Sequence, residues 1–115
     1  MAELPKVSFE ILRLSSAIAE VLVHVDFNED VVAETRLAGR VAGPHCPGAE
    51  TIEIAYPIHA VEPNSSRRRS ARIVIPEPNL WDAQTPFTYA GAVEVWIEAK
   101  KSTELPLEIG LRQAT

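Results

Sequence analysis

The chain has 115 residues, of which 46% are hydrophobic, so it is long enough to form one domain around one continuous core. Its formal net charge of −5 argues against a nucleic-acid-binding protein, because neutralising phosphates needs a concentrated excess of lysine and arginine. Cys46 is the only cysteine, which excludes an intrachain disulfide and is compatible with a reducing compartment such as the cytoplasm.

The amino terminus and the apolar runs bear on location. Residues 1–10 lack the basic flank and apolar core of a signal peptide, and no apolar run approaches the roughly 20 residues that a membrane-spanning helix needs. We therefore expect no membrane partner. If Met1 marks an excised boundary, targeting information lies outside this sequence, so the compartment stays open.

Apolar residues recur at every second position along most of the chain, which is the period of a strand with one buried face. The first run, residues 7–14, is irregular, because Leu12 and Leu14 fall out of phase with the row that begins at Val7. A short helix over residues 13–21 is an alternative there. The later rows are regular and predict strands over residues 19–27, 31–41, 52–58, 71–75, 87–97 and 105–111.

Turn-forming residues separate these rows at positions 28–30, 43–48, 62–66, 76–79 and 100–103. About seven short strands at this spacing predict an antiparallel β-sandwich in a single domain, residues 1–115. Gly91, inside a long strand, predicts a bulge or a close approach of another backbone. Pro57 and Pro106 lack the amide hydrogen that a central strand needs, so we expect both near sheet edges or irregularities.

The residues that usually carry chemistry do not form a recognisable site in the sequence. The carboxylates of Asp26, Glu29 and Asp30 cluster at a predicted hairpin loop, where we expect them to lie in water. The histidines share no metal-ligand spacing, and the serines lack a nucleophile-elbow sequence. We therefore predict no catalytic residue, no cofactor and no metal. The histidines are His24, His45 and His59.

The run Arg67–Arg69, followed by Arg72, is the one local concentration of positive charge. It can meet a phosphate, an acidic partner or a carboxylate surface, and Ser70 beside it is a candidate for phosphorylation. The alternative is a solvated hairpin tip whose arginines discourage pairing between sheet edges. The shortness of the run favours the hairpin tip, although the sequence leaves its role open.

Two segments near the carboxyl end carry a more specific pattern. The first consists of Pro78, Leu80, Trp81, Asp82, Pro86 and Tyr89, and the second of Gly110 and Arg112. Together they resemble the end of the immunoglobulin-like β-sandwich domain of glycoside hydrolase family 2, which includes β-galactosidases, β-glucuronidases and β-mannosidases. Ala83, Thr88 and Ile109 depart from the family pattern, where proline, leucine and an aromatic residue are frequent.

The resemblance implies an all-β, immunoglobulin-like antiparallel sandwich excised from a larger multidomain chain. Such a domain is a non-catalytic accessory that braces a sugar-binding-like domain against the catalytic barrel of an enzyme that hydrolyses β-glycosidic bonds. The two catalytic glutamates of the family lie in that barrel, which this chain is too short to contain, so we expect no enzymatic activity. The expected partners are the neighbouring domains of the parent glycosidase, and residues 111–115 would lead into the barrel.

Two other classes of function stay open. A free-standing immunoglobulin-like module that binds protein or carbohydrate needs exposed aromatic side chains aligned on one face. A small independent enzyme needs a convergent polar pocket, which these residues do not compose. The sugar specificity of a parent enzyme, direct sugar binding by this chain and the oligomeric state are not decided by the sequence.

The two tryptophans are expected to play different roles. Leu80 and Trp81 should point inward and close one end of the sandwich. Trp96 lies on the opposite row from the apolar residues of its strand, between Glu94 and Glu98, and should face outward. One aromatic residue with a polar rim and small neighbours is a common arrangement at interfaces. The alternative is a tryptophan that lies over its own sheet.

Overall fold

A computed structural model describes residues 5–63 and 65–112. In these residues the regular elements are β-strands, in two antiparallel sheets of four with the orders β1-β2-β6-β5 and β4-β3-β7-β8. This confirms the all-β sandwich, with eight strands in place of about seven. The strands are β1 (Lys6–Leu14), β2 (Ile18–Asp26), β3 (Thr35–His45), β4 (Ile54–Pro57), β5 (His59–Ala60), β6 (Arg68–Pro76), β7 (Thr88–Ile97) and β8 (Lys100–Ile109). The described residues contain no helix long and apolar enough to span a membrane.

The strand order is that of an immunoglobulin-like domain. In that fold strands A, B, E and D form one sheet, and strands C, F and G form the other, to which some members add a further strand after C. Here β1, β2, β6 and β5 take the first set of places, and β4, β3, β7 and β8 take the second. The polypeptide crosses from one sheet to the other between β4 and β5.

The core is made by the rows that the period of two predicted. The inward residues of β2, β6, β7 and β8 are almost completely buried, while their neighbours in sequence point outward. This confirms the assignment of these four strands, since one apolar face of each sheet covers the other. The buried residues are Ala19, Val21, Val23, Val25, Ala71, Ile73, Ile75, Tyr89, Val93, Val95, Leu105, Leu107 and Ile109.

The irregular first row is explained by a β-bulge. Ile11 pairs with Val21, but Arg13 pairs with Glu20, so Leu12 is one extra residue in β1. A bulge shifts the alternation by one position, which is why Leu14 still packs against the core. The helix alternative for residues 13–21 is wrong, because β2 begins at Ile18 after a short turn.

The predicted strand over residues 31–41 is wrong at both ends. The strand is Thr35–His45, and the Thr35 amide donates to the carbonyl of Val32 at 3.1 Å in a turn that precedes it. Val31 and Ala33 continue the alternating row of β3 in the sequence, but they precede the strand. At the other end the strand continues into the predicted turn at 43–48 through a bulge between Ala42 and His45.

The apolar row over residues 52–58 includes β4 of the second sheet and ends at Ile58, where the chain leaves that sheet. Ile52 and Ile54 are 86% and 54% exposed, which contradicts a buried row, whereas Ile58 is buried at the crossover. The Ile58 amide donates to the carbonyl of Gly39 at 2.9 Å and fixes this crossing point. Pro57 ends β4, which is an edge strand, and Pro106 lies in the edge strand β8, as expected.

The last hairpin turns earlier than predicted. Glu98 and Ala99 form the turn, with φ values of 50° and 66°, and β8 begins at Lys100. A two-residue turn with both φ values positive matches the twist of the flanking strands. The predicted turn at 100–103 is therefore wrong, although a bulge displaces the pairing at Ser102.

Gly91 confirms the expected close approach of two backbones. A Cβ atom at this position would meet the carbonyl oxygen of Arg40 and would lie 2.9 Å from the Cα atom of Val41. Both obstructing groups are backbone atoms of β3, which cannot rotate away. The absence of a side chain at Gly91 therefore lets the two central strands of this sheet pair at their usual distance.

We expect Gly91→Ala to lower the free energy of unfolding by about 1–3 kcal/mol, the usual cost of adding volume to a well-packed position. Urea unfolding followed by fluorescence measures this loss. Ala90→Ser, at the exposed neighbouring position, is the matched control and should change stability by less than about 0.5 kcal/mol. Equal stability of the two variants would show that β3 and β7 separate there without cost.

Candidate functional site

The two segments of the family-like pattern meet at one end of the sandwich. Residues 77–87 connect β6 to β7, and residues 110–112 follow β8. The Trp81 amide donates to the carbonyl of Leu111 at 2.9 Å, and Trp81 forms an isolated antiparallel bridge with Pro86. The connection between β6 and β7 is therefore joined by backbone pairing to the chain that leaves the last strand.

The side chain of Trp81 lies between the two residues of the second segment. A Cβ atom on Gly110 would lie 3.0 Å from Cδ1 of Trp81, so glycine allows the indole to pack on the backbone there. The guanidinium carbon of Arg112 lies 4.5 Å from the centroid of the indole ring, a cation–π geometry. We call Trp81, Gly110 and Arg112 the exit clamp, because they hold the chain where it leaves β8.

The expectation that Trp81 plugs the core needs correction. Trp81 is only partly buried and lies outside the core cluster, whereas Tyr89 is 1% exposed. The hydroxyl of Tyr89 accepts the amide hydrogen of Asn79 at 3.0 Å, and burial raises the pKa of this phenol. A tyrosine near the start of this strand, bonded to the preceding connection, is the tyrosine corner of immunoglobulin-like domains. Leu80 packs against the core, as expected.

Asp82 shapes the turn between Trp81 and Pro86. Its Oδ1 atom accepts the amide hydrogens of Gln84 and Thr85 at 2.8 and 2.7 Å, and its Oδ2 atom accepts the Thr85 hydroxyl at 3.0 Å. Hydrogen bonds from the amide and the hydroxyl of Thr85, together with the Gln84 amide, lower the pKa of Asp82. All of these contacts are local, so the carboxylate organises the backbone of this connection.

Trp96 lies on the outer face of the second sheet, as its parity predicts. It is partly buried, and its Nε1–H donates to Oε1 of Glu94 at 2.9 Å. Arg36 of β3 and Lys101 of β8 are its neighbours across the sheet, so cationic residues flank the indole. Glu98 does not complete a rim on this face, because it lies in the turn after β7.

The same face has a shallow depression toward the middle of β7. Ala92, Glu94, Arg40 and Glu104 line it, and the backbones of two glycines form its floor. Ala90 lies further along the same row and is exposed. Small side chains beside one indole leave this face open to close approach by another surface. We call Ala90, Ala92, Glu94 and Trp96 the Trp96 face.

A serine, a histidine and a glutamate line up on the outer face of the first sheet, an arrangement that sequence analysis missed. Nδ1 of His24 lies 2.6 Å from Oγ of Ser70, and Nε2 lies 2.9 Å from Oε1 of Glu10. In one tautomer the Ser70 hydroxyl donates to the ring and the ring donates to the glutamate. The alternation of β2 and β6 predicts that His24 and Ser70 both face outward. Their contact depends on the register of the two strands, which places His24 opposite Ser70 and cannot be derived from the sequence.

This row has the composition of a hydrolase triad but not its surroundings. Acyl transfer needs hydrogen-bond donors aimed at a developing oxyanion, such as free backbone amides or polar side chains near the nucleophile. Ser70 lies within β6, which pairs with β2 on one side and β5 on the other. The arrangement is a polar ladder across β1, β2 and β6.

The carboxylates of the predicted hairpin loop pair with the arginine run. Nε and Nη2 of Arg68 donate to the two oxygens of Asp26 at 2.6 and 3.0 Å, and this hydrogen bonding lowers the pKa of Asp26. Asp30 accepts from the Ser66 hydroxyl at 2.9 Å and from Nε of Arg67 at 3.1 Å, which lowers its pKa also. Asp26 and Asp30 thus pair with arginines while their side chains stay 40% and 70% exposed, so these carboxylates lie at the surface, as expected.

Arg69 contradicts the expectation of a solvated hairpin tip. It is 5% exposed, and within residues 5–63 and 65–112 its side chain donates to four carbonyl oxygens, which belong to Thr35, Ser65, Arg68 and Val32. Thr35 belongs to the other sheet, so Arg69 joins the two sheets by a hydrogen bond of 2.9 Å. Arg69 lies two residues before Ala71, in the inward row of β6, so the alternation of the strand alone predicts its burial. A charged residue is not normally expected in such a row.

The part of the chain that the structure describes contains no group of three or more histidine, cysteine, aspartate or glutamate residues placed to hold a metal ion. His45 approaches only Glu53, at 3.5 Å, and Cys46 is buried.

We expect Trp81→Ala to lower the free energy of unfolding by about 2–3 kcal/mol, less than the 3–5 kcal/mol of a fully buried aromatic residue, because the ring is only partly buried. A double-mutant cycle with Arg112→Gln should give a coupling of about 0.5–1 kcal/mol, the usual value for an exposed cation–π pair. Urea melts of the four proteins measure both quantities. Additive effects would show that the guanidinium and the indole do not interact in solution.

The fold has a counterpart among solved structures. The chain is similar to part of the structure of a β-glucuronidase from glycoside hydrolase family 2, with a TM-score of 0.56 and 16% sequence identity. The likeness covers 93% of this chain and 11% of that chain, so this chain spans a small part of that enzyme's length. No protein-family model and no curated protein matches the chain. The likeness establishes a fold: the chain is a β-sandwich of the kind found within a family 2 β-glucuronidase.

Proposed function

We propose that the chain is a non-catalytic accessory domain of a glycoside hydrolase family 2 enzyme that cleaves β-glycosidic bonds. In this role it braces a sugar-binding-like domain against the catalytic barrel. The observation that carries the proposal is the likeness of almost the whole chain to a small part of a family 2 β-glucuronidase. The sequence pattern over residues 78–112 also supports it, because Trp81, Gly110 and Arg112 of that pattern pack together.

The exit clamp fits the mechanical part of this role. A domain that braces two others must fix the direction in which its chain leaves, since slack at that point lets the neighbours move separately. Here the segment after β8 is held by a backbone hydrogen bond, by an indole that packs on Gly110 and by the cation–π contact of Arg112. The expected passage into a barrel continues through residues 113–115, which lie outside the described residues.

The Trp96 face is the surface that we assign to a neighbouring domain. One aromatic residue lies there with small residues beside it and charged residues on both flanking strands. Interfaces between domains commonly combine an aromatic anchor with a polar rim. The depression next to Glu94 would receive side chains from the facing domain.

A free-standing module that binds protein or carbohydrate is the second candidate function. The partial exposure of Trp96 beside a shallow depression favours it, since sugar-binding surfaces often use an aromatic platform. Against it, Trp81 is stacked with Arg112 at an end of the sandwich, so the two tryptophans do not form one aligned surface. The size of the native polypeptide separates the two functions.

Antibodies raised against this chain should detect a native polypeptide several times larger than 12.6 kDa. The captured protein should hydrolyse a nitrophenyl β-glycoside, while the isolated chain should not, because the catalytic glutamates of the family lie in the barrel. An immunoblot of the source material and a chromogenic assay measure the two outcomes. A native band at the mass of this chain would instead favour the free-standing module, and turnover by the repurified chain would make it an enzyme.

Trp96 should be more accessible in the isolated chain than in the native polypeptide. With Trp81→Phe in both, Trp96 is the only tryptophan of this domain, and acrylamide should quench its fluorescence more strongly in the isolated chain. In the larger polypeptide, tryptophans of other domains must be replaced or Trp96 labelled selectively with a fluorinated indole. Equal accessibility in the two settings would show that no domain covers the Trp96 face.

A further inference from the structure

The outer edge of the first sheet is an open strand. β1 pairs with β2 on one side, and on its other side no strand lies among residues 5–63 and 65–112. An edge strand has backbone N–H and C=O groups without a ladder partner, and these groups can pair with a strand of another chain. β1 has nine residues, which is long enough for such pairing.

The inward row of β1 is an apolar surface that the sandwich covers incompletely. Phe9 pairs with Val23, which is fully buried, so both side chains lie on the inner face of the sheet. Phe9 is nevertheless 37% exposed, and Val7 and Ile11 on either side of it are only partly buried. The row therefore continues the core to the edge of the sheet, where a strand added beside β1 would cover it.

The other edge strands of the described sheets are less suitable for pairing. β4 and β5 have four and two residues, and Pro57 ends β4. β8 has ten residues, but Pro106 lacks an amide hydrogen. Its inward residues Leu105 and Leu107 are already buried, at 5% and 6% exposure, so an added strand would cover little apolar surface there. β1 combines the length of a strand with an apolar row that is still open.

The charges of β1 identify a second copy of this chain as the partner. Lys6 and Glu10 lie four residues apart on its outward row, and the side chain of Glu10 is 57% exposed. When two copies of β1 pair antiparallel about a two-fold axis at Ser8, Lys6 of each copy lies opposite Glu10 of the other. Opposite charges across a pair of strands favour that register, and the symmetry provides the pair twice.

The same register also matches the inward row. It places Phe9 opposite Val7 of the other copy, and an aromatic residue opposite a β-branched one is a favourable cross-strand pair. The bulge at Leu12 interrupts the regular backbone of β1, so the pairing extends over residues 5–11. A lysine on an edge strand usually discourages pairing with other strands. Here its match with Glu10 makes the edge selective for a second copy.

We propose that the chain forms a symmetric dimer in which β1 pairs antiparallel with β1 of a second copy. The pairing joins the two first sheets, of four strands each, into one continuous sheet. The dimer is weak, because interfaces that bury less than about 1,200 Å² belong to transient associations. It does not rest on the proposed accessory role, since β1 lies outside the exit clamp and the Trp96 face.

Sedimentation equilibrium of the original chain tests the dimer, from about 10 μM to about 1 mM, a range that suits a weak interface. The average mass should rise with concentration from 12.6 kDa toward twice that value. Lys6→Glu should weaken the association by about tenfold or more, because it replaces both attractive cross-strand pairs by repulsive ones. The double variant Lys6→Glu/Glu10→Lys restores opposite charges across the interface, and its dissociation constant should return to within about threefold of the original value.

Lys100→Glu is the matched control, because it reverses the charge of an exposed lysine on an edge strand of the other sheet. It should leave the association unchanged. A second measurement reports the contact directly. In an equal mixture of ¹³C-labelled and unlabelled chains, an isotope-filtered nuclear magnetic resonance spectrum should show nuclear Overhauser effects between the Phe9 ring and the Val7 methyl groups of the other copy.

A mass of 12.6 kDa at every concentration would overturn the proposal, and this measurement does not depend on any variant folding. A dimer that Lys6→Glu leaves intact would mean that another surface associates, which overturns it equally. The same conclusion follows if the double variant unfolds in urea like the original chain but does not regain the association. A dimeric sample without the Phe9–Val7 effects would also contradict the pairing of β1 with β1.

Discussion

The register between β2 and β6 is the constraint on which the rest of this sandwich depends. Val21 lies opposite Ile73 on the inner face, while Asp26 lies opposite Arg68 and His24 opposite Ser70 on the outer face. A strand has a side-chain period of two, so a slip of one residue would exchange the two faces. Such a slip would turn the aliphatic side chains of one strand toward water and turn its polar side chains, such as Asp26, into the core. The packing of both faces therefore favours the same register. The inner packing therefore aligns the polar residues on the outer face. Their hydrogen bonds in turn stabilise the register that the inner packing needs.

The second sheet and the contact between the sheets use different devices. Gly91 lets the backbones of β7 and β3 pair where any side chain would obstruct a carbonyl. Immunoglobulin domains of antibodies join their sheets by a disulfide, which this chain cannot form with one cysteine. Aliphatic packing takes that place here, supplemented by the hydrogen bond from Arg69 to the carbonyl of Thr35. The arginine therefore has a structural role in joining the two sheets.

Sequence alone predicted the strands in which apolar residues alternate with polar ones, because this alternation corresponds to one buried face. The rows of β2 and β6 and of residues 105–109 in β8 alternate without interruption, and their burial follows directly. The errors fall where one residue is added to a strand or where the chain changes sheets. Leu12 adds a residue to β1, and Ile58 lies between strands that belong to different sheets. At both points an odd or even position in the sequence no longer predicts which face of a sheet the side chain is on.

The candidate sites were harder to predict, because they depend on pairs of distant residues. The sequence pattern identified the residues of the exit clamp, but it did not reveal that Trp81 packs on Gly110 at the surface while Tyr89 fills the core. Arg69 was expected in a solvated hairpin tip together with Arg67 and Arg68, although its position in the alternation of β6 pointed inward. The rule that charged residues lie outside fails where several backbone carbonyls converge on one position, and no local pattern announces that convergence.

The turn between β7 and β8 also bears on the order in which the domain assembles. Glu98 and Ala99 both adopt left-handed backbone conformations, which cost residues with a side chain about 1–2 kcal/mol each. A turn of this kind does not form readily by itself, so the packing of the two strands must hold it in place. β8 should consequently join a sandwich whose other strands have already come together. During synthesis this strand also leaves the ribosome last of the eight, so the segment that fixes the chain exit becomes ordered only when the domain is complete.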